Sequence, residues 1–152
     1  MILMTSKDSE LDDYYVDIRY RELPPTLNQI IDICNQGIPI LWGKLDNQQC
    51  KIMAYDILYF EWMDYQSCIY TKEQVYTTKQ SVTQLEQQLG GNIFIRVSKQ
   101  AVINIHKVKW ISPGWNMKVT VASLVNGERV VVSRNYRHQL LEAIYKLGKE
   151  VT

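Results

Sequence analysis

The chain has 152 residues, a formal net charge of +1, 46% hydrophobic and 22% charged side chains, which is the make-up of an ordinary globular domain. A chain of this length buries roughly 70% of its unfolded surface, so disorder is excluded. No run approaches the roughly eighteen apolar residues that would cross a bilayer as a helix.

The first thirteen residues, MILMTSKDSELDD, lack the basic start and long apolar stretch of a signal peptide. Cys34, Cys50 and Cys68 are odd in number and have no CxxC spacing, so they read as free thiols in a reducing compartment. Both features give a cytoplasmic protein. Ten Tyr and four Trp beside two Phe favour half-buried strands and interfaces.

Residues 14–20, YYVDIRY, alternate Val16 and Ile18 against Asp17 and Arg19 and predict a short strand. Pro24 and Pro25 break it. Thr26 and Gln29 then have capping-box spacing, and Leu27, Ile30, Ile31 and Cys34 predict an amphipathic helix ending at Gly37. From residue 38 to 78 the pieces IPILWGKL, QQCKIMAY, DILYFEW, SCIYT and QVYTT predict closely spaced antiparallel strands. Ser81 with Gln84 repeats the capping-box spacing before a short helix carrying Val82, Leu85 and Leu89, which Gly90-Gly91 ends. Beyond it, Ile93, Ile95 and Val97 face one way and Phe94, Arg96 and Ser98 the other. AVINI, MKVTVASL and RVVVS are three further strands, with a turn at Pro113-Gly114 and a hairpin at Asn126-Gly127. A last helix runs from about Asn135 to Leu147.

Charge is sorted along this order. Residues 92–140 hold Arg96, Lys99, Lys107, Lys109, Lys118, Arg129, Arg134 and Arg137 against one acid, Glu128, whereas residues 1–91 carry seven basic and thirteen acidic side chains. A basic strip on alternating strands is the footprint of a phosphate-backbone binder. A solvated basic face with no ligand accounts for it equally well.

Other chemistries find little support. The seven glycines form neither GxxxxGK nor GxGxxG, which excludes the usual nucleotide cradles. His106 and His138 have no ligand-spaced partners, so no metal is expected, and no cofactor or small-molecule substrate either. Asp56 and Glu61 sit among apolar strand residues and read as fold-supporting rather than catalytic. A helix-turn-helix fails because the basic region is strand-like.

Three blocks, DILYFE at 56–61, FIRVSKQAVIN at 94–104 and NGERVVVSRNYRHQL at 126–140, resemble the signature stretches of the LytTR DNA-binding domain. The resemblance covers about Met53 to Lys146. It implies a mainly β, α+β fold of elongated antiparallel sheets with short helices, over residues 51–148, preceded by a strand-helix extension over residues 1–50. It also implies a sequence-specific double-stranded DNA-binding transcription regulator, not an enzyme, whose inter-strand loops enter successive major grooves at repeated sites. By that match Arg134 is the C-terminal loop arginine that reads a base edge, its two donors fitting guanine O6 and N7. Ser98 and Lys99 replace the His-Arg or His-Asn pair common in the family, which turns that loop toward phosphate. The first loop falls on Met63, Asp64, Tyr65 and Gln66, with Gln66 suited to adenine and Tyr65 to sugar or phosphate. Asn135, Arg137 and Lys118 are expected on phosphates, Arg96 in a cross-strand pair, and Asn104 on backbone.

Residues 1–50 are too few for a receiver domain, so control by phosphorylation in cis is not expected. They resemble the extension of stand-alone LytTR regulators, some of which are restrained by a small membrane protein. The Leu27, Ile30 and Ile31 face suggests a homodimer. Two rival functions are a protein-interaction module whose basic face meets an acidic partner, and a single-stranded nucleic-acid binder stacking bases on Trp110, Trp115 and Tyr136.

Overall fold

In a computed structural model of the chain, residues 19–36, 39–90, 93–114 and 118–150 are described. They fall into two units, Met1–Gly37 and Ile38–Thr152. In the first, helix α1 spans Pro25–Gln36. Proline suits a first helical position, having no amide hydrogen to leave unpaired and a preset φ. The Leu27 amide bonds the Pro24 carbonyl at 2.9 Å. Leu27 and Ile31 are half-buried and Ile30 is exposed. Most of the strand expected at 14–20 lies outside the described residues; Arg19 and Tyr20 are irregular.

The second unit is built on a seven-stranded antiparallel sheet. Its strands are β1 (Ile40–Leu45), β2 (Gln48–Met53), β3 (Ile57–Met63), β4 (Gln66–Thr71), β5 (Val75–Thr78), β6 (Phe94–Arg96) and β7 (Ala101–Asn104). Their spatial order is β2-β1-β5-β4-β3-β7-β6. A three-stranded sheet follows, ordered β10-β9-β8, from β8 (Val108–Pro113), β9 (Thr120–Leu124) and β10 (Arg129–Val132). Helix α2 (Val82–Leu89) lies between β5 and β6, and α3 (Arg134–Glu150) ends the unit. The mainly β, antiparallel expectation holds.

Period-two alternation sends side chains to two cores. On one face Leu41, Ile52, Ile57, Phe60, Ile69, Phe94 and Val102 meet Val82, Leu85 and Leu89 of α2. On the other, Leu58, Ile95, Val97, Ala101 and Ile103 meet Ala122, Leu124, Val130, Val132 and Leu140. A register shift between Ile57 and Tyr59 lets Ile57 and Phe60, an odd three residues apart, both serve the first core while Leu58 serves the second. The capping box at α2 is present as expected: the Ser81 hydroxyl accepts from the Gln84 amide at 3.2 Å, and the Gln84 side chain accepts from the Ser81 amide at 2.8 Å.

Two features differ from expectation. The division at residue 50 cuts the β1–β2 hairpin, which pairs from Ile40↔Met53 to Leu45↔Gln48 and contributes Leu41 and Ile52 to the first core. An edge hairpin carries no local mark of which neighbour it joins. Pro113, expected with Gly114 in a turn, instead ends strand β8, whose residues 108–112 carried no strand expectation; β8 is an edge strand, where proline leaves no ladder bond unmade.

Candidate nucleic-acid interface

Three chain reversals gather at one end of the second unit, and backbone hydrogen bonds tie them in a row. The β3–β4 hairpin turns at 64–65, and the Trp62 amide beside it donates to the Gln100 carbonyl at 2.8 Å. Loop 97–100 joins β6 to β7, and its Val97 carbonyl accepts from both the amide and the hydroxyl of Ser133, at 2.8 and 3.2 Å. Ser133 connects β10 to α3. Hairpin, central loop and helix start are therefore fixed to one another by main-chain atoms, independently of the side chains they present. The tie through Ser133 had no linear signal, its partner lying 36 positions away.

The two-residue turn Asp64-Tyr65 has φ of 50° and 65°, so both central residues are left-handed, as a hairpin matching strand twist requires. Glycine or asparagine would fit there more cheaply, because a left-handed L-residue costs roughly 1–2 kcal/mol. Tyr65 instead projects at 87% exposure. Tyr65→Gly is expected to raise unfolding stability by about 1 kcal/mol while weakening duplex binding. Denaturant midpoints and binding isotherms measure both, and undiminished affinity would remove Tyr65 from the interface. Gln66 opens β4, half-buried and paired with Met63.

In the central loop Ser98 is half-buried and Lys99 exposed. The Ser98 hydroxyl accepts from the Gln100 amide at 3.2 Å, which orients it and leaves its own proton to donate. Arg134 and Asn135 are exposed in the first turn of α3, where unpaired amides and the helix dipole favour an anion, and Arg137 follows one residue after Tyr136. Lys118 lies two residues before Thr120, whose strand partner is Val132, so it leaves the same end of the small sheet as Ser133. Every predicted contact residue thus belongs to this end.

The basic strip as a whole does not. Lys109 and Arg129 lie at the opposite ends of their strands, with Lys107 in the turn just before β8, and the Lys109 ammonium sits 5.1 Å from the centre of the Trp110 ring. Antiparallel strands return the chain every few residues, so linear sorting of charge becomes two groups in space. Arg96 is not in a cross-strand pair: its guanidinium meets Glu86 of α2. Asn104 does hold backbone, donating to the Ile57 carbonyl at 2.9 Å and accepting from the His106 amide at 3.0 Å.

The carboxylates Asp56 and Glu61 stay apart, Asp56 in the turn before β3 and Glu61 accepting from the Tyr70 hydroxyl at 3.0 Å. Burial and that bond push the Tyr70 phenol up to about 12, and its ring stacks on Tyr59 at 4.2 Å. Cys68 is buried, and burial together with Glu61 and Asp64 raises its thiol. A raised thiol holds little thiolate and makes a poor nucleophile.

The family model of the LytTr DNA-binding domain matches residues 47–145. The chain belongs to the LytTR family. The match runs from the β1–β2 hairpin to α3 and so takes in all three loops. A solved LytTr DNA-binding domain from Bacillus cereus superposes with a TM-score of 0.65 at 25% identity, over 71% of this chain and 98% of that one. The sensory transduction protein LytR of Streptococcus mutans is 22% identical over 91% of this chain and 57% of its own length. LytT of Enterococcus faecalis is 34% identical over 55% of this chain and 33% of its own. The chain therefore spans between a third and somewhat over half of these curated LytTR relatives. Its LytTR domain is a DNA-binding domain of the kind used in transcription regulation.

Proposed function

We propose that this chain is a sequence-specific transcription regulator that reads double-stranded DNA through the β3–β4 hairpin, loop 97–100 and the start of α3, each entering a major groove. The observation that carries the reading is the row of ties from Trp62 to Gln100 and from Val97 to Ser133. It pre-orders three reversals bearing Tyr65, Gln66, Ser98, Lys99, Arg134, Asn135 and Arg137, with Lys118 alongside. Pre-ordering before binding removes entropy that a flexible surface would lose on the duplex. Arg134 reads a base edge; Lys99, Ser98 and Arg137 meet phosphates.

The domain division follows the two units, with the LytTR part carrying recognition and the α1 unit serving regulation. Dimerisation through Leu27, Ile30 and Ile31 would suit repeated sites, and a small membrane protein is the proposed restraint on a cytoplasmic regulator. Sedimentation showing a monomer at high micromolar concentration would remove the dimer.

Selection of bound duplexes from a random pool tests the reading most directly. With a selected duplex in hand, Lys99→Ala is expected to weaken specific and random duplexes alike and to flatten the slope of log K against log salt by about one. The single-stranded rival makes the opposite demand on Trp110, which is exposed at the far end of β8. Trp110→Ala is expected to leave duplex affinity within twofold, whereas losing a stacking platform would cost roughly 1–3 kcal/mol. A large loss on single strands with none on duplexes would favour the rival.

A further inference from the structure

Arg96, a cation of the basic strip, spends its guanidinium inside the molecule on α2. Its side chain is only 17% exposed. Nε donates to Glu86 Oε2 at 3.0 Å and Nη2 to the same oxygen at 2.6 Å. Nη2 also reaches Thr83 Oγ1 at 3.1 Å, while Nη1 donates to the Lys99 carbonyl at 2.8 Å. The planar fork thus joins two acceptors on α2 to the tip of the central loop.

The α2 end of this link is rigid. The capping box fixes the start of the helix, and Val82, Leu85 and Leu89 are buried beneath it. The loop is held at its flanks, where the Val97 carbonyl accepts from Ser133 and the Gln100 carbonyl from Trp62, both at 2.8 Å, and where Val97 and Ser98 donate to the Ala101 carbonyl at 2.9 and 3.3 Å and Gln100 to the Ser98 hydroxyl; its tip lies between these ties. Lys99, the exposed residue at the tip, is held through its carbonyl by Arg96.

We propose that Arg96 is a positioning residue for DNA recognition, which, braced by Glu86 and Thr83, holds loop 97–100 in its binding conformation and does not itself touch DNA. The inference rests on the duplex-reading function above. Lysine cannot replace the arginine, because a point charge on a flexible stem cannot serve Glu86, Thr83 and the Lys99 carbonyl together. Because Glu86 is an acid near a DNA-facing edge, simple electrostatics and the proposal disagree in sign about its removal.

The test uses the full chain, a selected duplex, a random duplex of equal length, and three variants. Glu86→Ala removes a negative charge, so electrostatics alone tightens binding to both duplexes. On the proposal, affinity for the selected duplex falls about five- to thirtyfold, the equivalent of ordering one loop residue afresh on binding, while random-duplex affinity does not fall. Thr83→Val removes one contact on the surface of α2 and moves specific affinity in the same direction by less. Arg96→Gln lowers specific affinity with the salt slope unchanged.

Amide hydrogen exchange supplies a readout without DNA. Glu86→Ala should speed exchange at Ser98 and Gln100 and leave β7 protected. Specific binding by Glu86→Ala as tight as the parent's, unchanged exchange at the loop, or a salt slope flattened by about one in Arg96→Gln would each overturn the role. Arg134→Ala and Lys99→Ala are the controls for the underlying reading: if both leave specific affinity intact, these loops do not read duplex DNA and this inference falls with that assignment.

Discussion

Arg134→Ala is expected to weaken binding to a selected duplex by about 1 to 3 kcal/mol, roughly 5- to 150-fold, while random-duplex binding changes far less. The side chain is exposed at the first position of α3, directly after Ser133, whose amide and hydroxyl are both held by the Val97 carbonyl. A guanidinium on so short a tether to fixed backbone can present two parallel donors to a guanine edge. A lysine there offers one ammonium and no fork, so Arg134→Lys should recover phosphate attraction and little discrimination. Titrations must share one salt concentration, since the phosphate contribution varies steeply with it. Thermal unfolding should be nearly unchanged, because the residue buries little. If alanine and lysine variants both hold the selected duplex as tightly as the parent, base reading does not pass through this residue.

Local rules reached some parts of the molecule and not others. Wherever a feature depends on neighbours in sequence, residue types sufficed: the Ser81 and Gln84 capping box, the turn at Asn126-Gly127, and the opposite facing of Ile95 and Val97 against Phe94 and Arg96. The three loops proposed to read DNA were legible through their flanking blocks, as a family resemblance. What escaped depends on pairing across long separations. The β1–β2 hairpin joins the main sheet through Lys44 opposite Thr77, which no property of ILWGKL announces. Arg96 has a strand neighbour in Val102, yet its charge is satisfied by Glu86, ten positions upstream on a helix. The basic strip looked like one surface because strand returns are invisible in a linear count. Four of its eight cations, Lys99, Lys118, Arg134 and Arg137, reach the end where the three loops meet. Proximity of the loops, more than the sum of charge, is therefore what favours a duplex partner.

Phe60→Ala separates folding from recognition and has the largest expected effect on stability, a loss of about 3–5 kcal/mol. Phe60 is fully buried at the middle of β3, where it packs with Ile57, Ile69 and Leu85 and lies 6.0 Å from the Phe94 ring. Truncation leaves a cavity that paired strands on both sides of β3 cannot close, since β4 and β7 fix its position. Small domains hold only about 5–15 kcal/mol in total, so much of the margin goes. Yet Phe60 faces α2, away from the strand ends proposed to read DNA, so the fraction that remains folded should bind as the parent does. Adding selected duplex at a hundredfold excess over Kd should then restore about 2.7 kcal/mol of apparent stability by mass action. Arg134→Ala should show the reverse: a near-parental unfolding midpoint to which the same duplex concentration adds only about 0.3 to 1.8 kcal/mol. A Phe60→Ala protein that stays folded but regains nothing from duplex would mean that the core on the α2 face also shapes the recognition end.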